Sequence, residues 1–116
     1  MIFGIGTDMV EIERIRAADA RFGDRFALRI LGALEIERYR LRRARSNERG
    51  ITFLATRFAA KEAISKALGL GMRHPMTWRA VEIVNDAAGR PVPQISSDEL
   101  RHFAEVRRLR LYVSVT

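Results

Sequence analysis

Apolar positions recur at helical spacing through most of the first two thirds of the chain and alternate with polar ones near its end, a pattern that predicts an α+β domain. Residues 1–7 (MIFGIGT) form a short apolar run whose glycines suit a buried strand. Residues 11–31 read as helix in two pieces, broken at Gly23-Asp24, with Asp24 placed to cap the second. A third helix is expected over residues 33–45, with Gly32 as a weak N-cap and Glu35 at the capping-box position. Ser46-Asn47 interrupts the chain ahead of a long central helix, which ends at the glycines after Leu68. Residues 80–84 (AVEIV) and 91–95 (PVPQI) read as the strands of a hairpin, with Gly89 supplying positive φ in its turn. Ser96 and Glu99 form a capping box for a helix to about residue 107, and residues 109–115 alternate as a half-buried strand. The expected whole is one domain over residues 1–116, a small antiparallel sheet packed with helices.

The central helix carries the stretch RFAAKEAISKALGLG, residues 57–71. Glu62, Ser65 and Lys66 stand at i, i+3 and i+4 and share one face, flanked by Arg57 and Lys61, while Phe53, Ala60, Ile64 and Ala67 lie largely on a side that can be buried. Of 21 basic residues, Lys61 and Lys66 alone are lysines. A compact ammonium binds phosphate as a point charge or is tuned as an acid or base. An ordinary solvated Lys/Glu face satisfies the same spacing.

Composition narrows the chemistry. Without cysteine there are no disulfides, thiolate catalysis or Cys-based metal sites, which fits a reducing compartment. No apolar run reaches membrane-spanning length and the N-terminus lacks a signal-peptide pattern, so a soluble, cytoplasmic protein is expected. A net charge of +7 predicts a polyanionic partner: nucleic acid, a phosphate-rich small molecule or an acidic protein. Gly4-Ile5-Gly6 lacks the third glycine and βαβ context of a dinucleotide fingerprint, and the glycines at 69 and 71 end a helix instead of opening one as a phosphate loop does. Arg14, Arg21, Arg25 and Arg29, interleaved with Phe22 and Phe26, suit docking onto an acidic helix or a nucleic-acid backbone; the alternative is a solvated helix with both phenylalanines in the core. Arg38, Arg42 and Arg45 read as solvated surface.

Asp8, at the end of the first strand, and Glu62 are the natural candidates for a hard-cation pair, since magnesium takes one or two carboxylates and completes its octahedron with water and phosphate. The motifs GIGTDMVEIERI and RFAAKEAISKALGLG, with the later ND-x-x-GRP turn, resemble the holo-(acyl-carrier-protein) synthases, the small bacterial 4′-phosphopantetheinyl transferases. The resemblance runs along nearly the whole chain. It implies an α+β fold, a homotrimer with active sites at subunit interfaces, and Mg2+-dependent transfer of 4′-phosphopantetheine from coenzyme A to a serine of acyl carrier protein in support of fatty acid biosynthesis. It further implies Asp8 and Glu62 as metal ligands, and Arg57, Ser65, Lys66 and Gly71 along the coenzyme A phosphates. Gly89, Arg90 and Pro91 match the turn near the adenine, and Arg14, Arg25 and Phe26 match the carrier-docking surface. Leu70 stands where many relatives have threonine, and the family continues past residues 113–116 with a polar active-site residue and a further strand.

The implied reaction is attack by the carrier serine on the β-phosphate of coenzyme A, which needs positioning and charge neutralisation. Glu62 is the first candidate to accept the serine proton and Lys61 the second, with Lys66 assisting at the phosphates. Partners are therefore expected to be coenzyme A and acyl carrier protein, with no nucleic acid and no membrane. A nucleic-acid-binding domain is the rival class, but it leaves Asp8, Glu62 and the paired lysines without a role. A catalytically inactive coenzyme A binder is the third.

Overall fold

The computed structural model describes residues 2–5 and 9–115, with side chains at residue 9 and over 11–111. The element order is β1 (Ile2–Ile5), α1 (Met9–Phe22), α2 (Asp24–Ile30), α3 (Ala33–Arg45), α4 (Asn47–Ala67), β2 (Val81–Asn85), β3 (Pro91–Ile95), α5 (Asp98–Val106) and β4 (Tyr112–Val115). The expected antiparallel hairpin is present, with Val81 opposite Ile95 and Asn85 opposite Pro91. A parallel pairing of β1 with β4, Ile2 opposite Tyr112, joins the two ends of the chain and was not expected from pattern alone.

α4 is the long central helix, 21 residues, and it threads two apolar clusters. Its N-terminal half places Ile51, Phe53, Leu54, Ala55 and Phe58 against Ile15, Ala27, Ile30, Leu31 and Tyr39 from α1 to α3. Its C-terminal half places Ala60 and Ile64 against Met76, Ala80, Val81, Ile83 and Leu100. Ala67, expected to share the buried side, is exposed; Ala63 and Leu68, to either side of it, pack against the second cluster instead. The helix stops where expected: the Leu70 and Gly71 N–H groups both donate to the Ser65 carbonyl at 3.0 and 3.1 Å, and Gly69 and Gly71 take φ of 75° and 63°.

Two caps depart from expectation. Asp24 does not cap α2; Gly23, at φ 62°, makes the turn itself, and Asp24 is the first helical residue, where its charge still suits the positive end of the helix. Ser97, not Ser96, caps α5 by accepting from Leu100 N at 3.1 Å, because the Ser96 hydroxyl is turned inward to donate to Glu82 at 3.0 Å. At α3 the expected half of the box is present, with Gly32 N donating to Glu35 Oε1 at 3.0 Å. Glycine has no side chain to complete it, and Glu82 of β2 does so from across the fold, accepting from Leu34 N at 2.8 Å. A Cβ at position 32 would collide with that carboxylate.

α1, α3 and α4 are fastened by Arg43, which forks onto both carboxylate oxygens of Asp19 at 3.0 Å and donates to the Tyr39 hydroxyl at 2.7 Å. α4 approaches it through Gly50, where an added Cβ would stand 2.6 Å from Arg43 Cδ and 3.1 Å from its Cα. Glycine to alanine within a helix gains about 1 kcal/mol of propensity, whereas overpacking costs about 1–3 kcal/mol. Because Arg43 is held on both sides, overpacking should win: Gly50→Ala is expected to lower stability by roughly 1 kcal/mol and the melting midpoint by several degrees, read by thermal circular dichroism. An unchanged or raised midpoint would show that α3 yields without cost.

Candidate active site

The outward face of α4 is polar because both of its flanks are occupied by the two clusters. Glu62 is half-buried and Lys66 exposed, one turn apart, and among the described residues neither side chain has an ion-pair or hydrogen-bond partner. A carboxylate and an ammonium left unpaired on one helix face are available to a ligand. Ser65 between them is buried, its hydroxyl donating to the Glu62 carbonyl at 2.7 Å, so it fixes the helix end and presents only an oxygen lone pair outward. Asp8 lies outside the described residues. Among the described residues no three His, Cys, Asp or Glu side chains cluster as a metal site. The Glu62 carboxylate is an oxygen donor of the kind magnesium takes one or two of, with phosphate and water completing its shell.

Arg57, expected to flank this face, is instead 8 % exposed and lies over the Phe53 ring at 4.2 Å. Its NH2 donates to Asn85 Oδ1 at 3.1 Å and to the Ile83 carbonyl at 3.3 Å, while its buried Nε has no partner. Burial, aided by the like charges of Arg42 and Arg38, pushes the guanidinium down to about 10. Arg42, Glu48, Arg49, Thr52, Phe53, Thr56 and Arg57 line a groove of about 330 Å³; its three arginines outnumber its one carboxylate, which is paired with Arg16, so the groove is electropositive. Asn85 links this cleft to the hairpin turn: its Nδ2 donates to the Gly89 carbonyl at 2.8 Å. In that turn Asp86 accepts from Ala88 N and Arg90 N, both at 2.9 Å, and these bonds hold its carboxyl below the usual carboxylate range. Arg57 and Gly89-Arg90-Pro91, 32 positions apart at Gly89, are thus brought into one hydrogen-bonded chain that spacing could not reveal.

Lys61 does not join the Glu62 face. It is 0 % exposed and its ammonium donates to Glu35 Oε1 at 2.6 Å, the Ile30 carbonyl at 2.7 Å and the Trp78 carbonyl at 2.8 Å. Burial pushes it below the usual lysine range against the opposing pull of Glu35. With three hydrogens given to three internal acceptors, it has neither proton nor lone pair for a substrate. The reading of Lys61 as a proton acceptor is therefore corrected.

Arg14, Arg25 and Phe26 do come together, around two residues that sequence reading missed. Phe58 stacks on Trp78 at 4.6 Å, Phe26 tilts against Phe58 at 6.2 Å and the Arg14 guanidinium lies 5.7 Å over the Phe58 ring. Phe22 is 52 % exposed, so the reading of Phe22 as core is excluded. Phe22, Arg25, Phe26, Arg29, Phe58 and Trp78 line an aromatic cavity of about 470 Å³ rimmed by arginine. The signal for Phe58 was its place one turn before Lys61 and Glu62; nothing in the sequence pointed to Trp78.

Known proteins are similar to this chain in sequence and in fold. A holo-(acyl-carrier-protein) synthase of Herminiimonas arsenicoxydans is 54% identical over all 116 residues of this chain, which span 88% of that protein. The crystal structure of the Neisseria meningitidis enzyme of the same name matches with a TM-score of 0.76 and 36% identity, covering 95% of this chain and 83% of that one. The Helicobacter pylori enzyme, solved in complex with coenzyme A, matches at 0.65 and 27%, covering 79% and 73%. With the family model matching residues 4–113, the chain belongs to the 4′-phosphopantetheinyl transferase superfamily.

Proposed function

We propose that this chain is a holo-(acyl-carrier-protein) synthase that moves 4′-phosphopantetheine from coenzyme A to a serine of apo acyl carrier protein, releasing adenosine 3′,5′-bisphosphate. The observation that carries the reading is the unpaired Glu62/Lys66 face of α4, set on the same helix as an electropositive cleft and an aromatic, arginine-rimmed cavity. Each of the three answers one requirement: a proton acceptor with a phosphate cation, a site for a polyanionic nucleotide, and a surface for an acidic protein.

In this reading the serine Oγ bonds to the β-phosphorus while the bond to the bridging pyrophosphate oxygen breaks. Glu62 accepts the serine proton, and the Lys66 ammonium offsets charge on the departing phosphate. Mg2+, held by Glu62 and Asp8, would supply further neutralisation of the pyrophosphate. Arg57, with Arg42 and Arg49 beside it, receives the nucleotide phosphates, and Gly89-Arg90-Pro91 the adenine end. Ser65 and Gly71 shape the helix end beside Lys66. Arg14, Arg25 and Phe26, with Phe58 and Trp78, dock the carrier. A homotrimer, a cytoplasmic location and service to fatty acid biosynthesis belong to the same proposal.

The direct test incubates the protein with apo acyl carrier protein, coenzyme A and magnesium and weighs the carrier; a gain of one phosphopantetheine, about 340 Da from the chemistry of the group and abolished by chelation, is expected. Glu62→Gln should lower kcat by about a hundredfold or more with the fold intact, as loss of a proton acceptor does. Turnover within a few fold would remove Glu62 from the reaction. Arg25→Glu, at an exposed position, should raise KM for the carrier about tenfold while KM for coenzyme A stays level, since rim charge reversal acts on association. Arg57→Ala should show the opposite split, and an effect of either variant on both constants alike would dissolve the assignment of separate sites.

A further inference from the structure

The three acceptors of Lys61 are distributed in a way a merely buried charge does not require. Ile30 O is the last carbonyl of α2, at the edge of the aromatic cavity. Trp78 O belongs to the residue whose ring stacks on Phe58 in that cavity. Glu35 sits in the first turn of α3 and extends the node further, accepting from Gly32 N at 3.0 Å and, through Oε2, from Ile83 N of β2 at 2.9 Å. All of these converge on α4 at the residue next to Glu62.

The large apolar side chains that set the rotation of α4 around this point, Phe58 and Ile64, lie three residues to either side of Lys61, and the stretch between them reads AAKEA. Alanine offers few atoms for packing, so between those anchors the directional hydrogen bonds of Lys61 tie the turn to α2, α3 and the segment before β2. Fixing register is the best-attested use of a buried charge.

We propose that the Glu35–Lys61 pair is a positioning device that fixes the outward rotation of Glu62 and Lys66 relative to the aromatic cavity. The inference rests on the transferase reading above. Glu35 and Lys61 are positioning residues, not catalytic ones, since neither reaches the surface.

The test uses Lys61→Met/Glu35→Gln, which removes both charges together and leaves no unpaired one in the core. Two quantities are read on the folded protein: kcat and KM for coenzyme A and carrier, and coenzyme A affinity by calorimetry with magnesium chloride and with EDTA. The expected result is a kcat lower by tenfold or more, since small misplacement of a reacting group is costly, with KM for the carrier within about threefold. Affinity in EDTA is unchanged, and the gain on adding magnesium is lost. A simple packing role would lower the melting midpoint and the folded fraction without separating kcat from KM or magnesium-free from magnesium-dependent binding. Should the double variant fail to fold, Glu35→Gln alone, which keeps Lys61 and the shape of the site, is read by the same measurements. A folded variant with parental kcat and parental magnesium gain overturns the proposal while leaving the transferase reading standing. Absence of transfer by the parent chain overturns that reading and this proposal with it.

Discussion

Burying one ammonium sets the terms for this fold. A lysine taken wholly out of water loses several kcal/mol of hydration even after relaxation, and only a counter-charge with complete hydrogen bonding offsets the loss. Lys61 obtains both, but from residues that no single element could supply. α2 has to end at Ile30 so that its carbonyl is free, and α3 has to begin immediately after Gly32 so that Glu35 falls in its first turn. The segment before β2 has to bring the Trp78 carbonyl inward. Glu35, once committed to Lys61, serves also as the acceptor for Gly32 N and Ile83 N, and the remaining N–H groups of α3 turn to Glu82. The site lies at the seam between the helical cluster and the cluster around β2, so one charge pair fixes how the two halves of the domain meet.

Arg57 presents the opposite electrostatic case on the same helix. It too is buried and is drawn by the Glu35 charge, but Arg42 and Arg38 repel it, and among the described residues its Nε has no hydrogen-bond partner. Lys61 is satisfied by the protein; Arg57 is left incompletely satisfied in a cleft that opens outward. Three arginines line that cleft beside one carboxylate, Glu48, which is already paired with Arg16, so the cleft keeps an excess of positive charge that the core pair lacks. The bond from Arg57 to Asn85 carries that preorganisation to the hairpin turn, whose conformation is held by Asp86 and by the positive φ of Gly89.

The elements were largely legible in the sequence because they rest on local rules. The glycines that end α4, the start of α3 after Gly32 and the hairpin around Gly89 follow from the chain's own periodicity and turn chemistry. The placing of Glu62 and Lys66 on one helix face was legible for the same reason, as i and i+4. What was not legible involves partners far apart in sequence. Spacing alone places Lys61 beside the Glu62 face, and only the position of Glu35, 26 residues earlier, shows that it turns inward. Glu82 as the missing half of a helix cap 47 residues away, and Trp78 as the floor of the aromatic cavity, have no local signature at all. Ser96, with Glu99 three residues on, fits the capping box and Ser97, with Leu100, does not; the tertiary bond of the Ser96 hydroxyl to Glu82 nevertheless leaves the cap to Ser97.

The unequal use of the two basic side chains follows from the same physics. Arginine stands wherever a guanidinium plane meets an aromatic ring or a carboxylate fork: Arg14 over Phe58, Arg57 over Phe53, Arg107 over Phe103, and Arg43 on Asp19. Lysine stands only at 61 and 66. At 61 the reason is geometric. An ammonium has three hydrogens and meets three acceptors, whereas a guanidinium has five in a rigid plane and would leave two of them buried without partners. At 66 the side chain is exposed beside Glu62 without a partner among the described residues, a compact point charge on a flexible stem. One lysine is thus matched to three buried acceptors, and the other stands on the polar face of the same helix. Two adjacent turns of one helix carry both solutions.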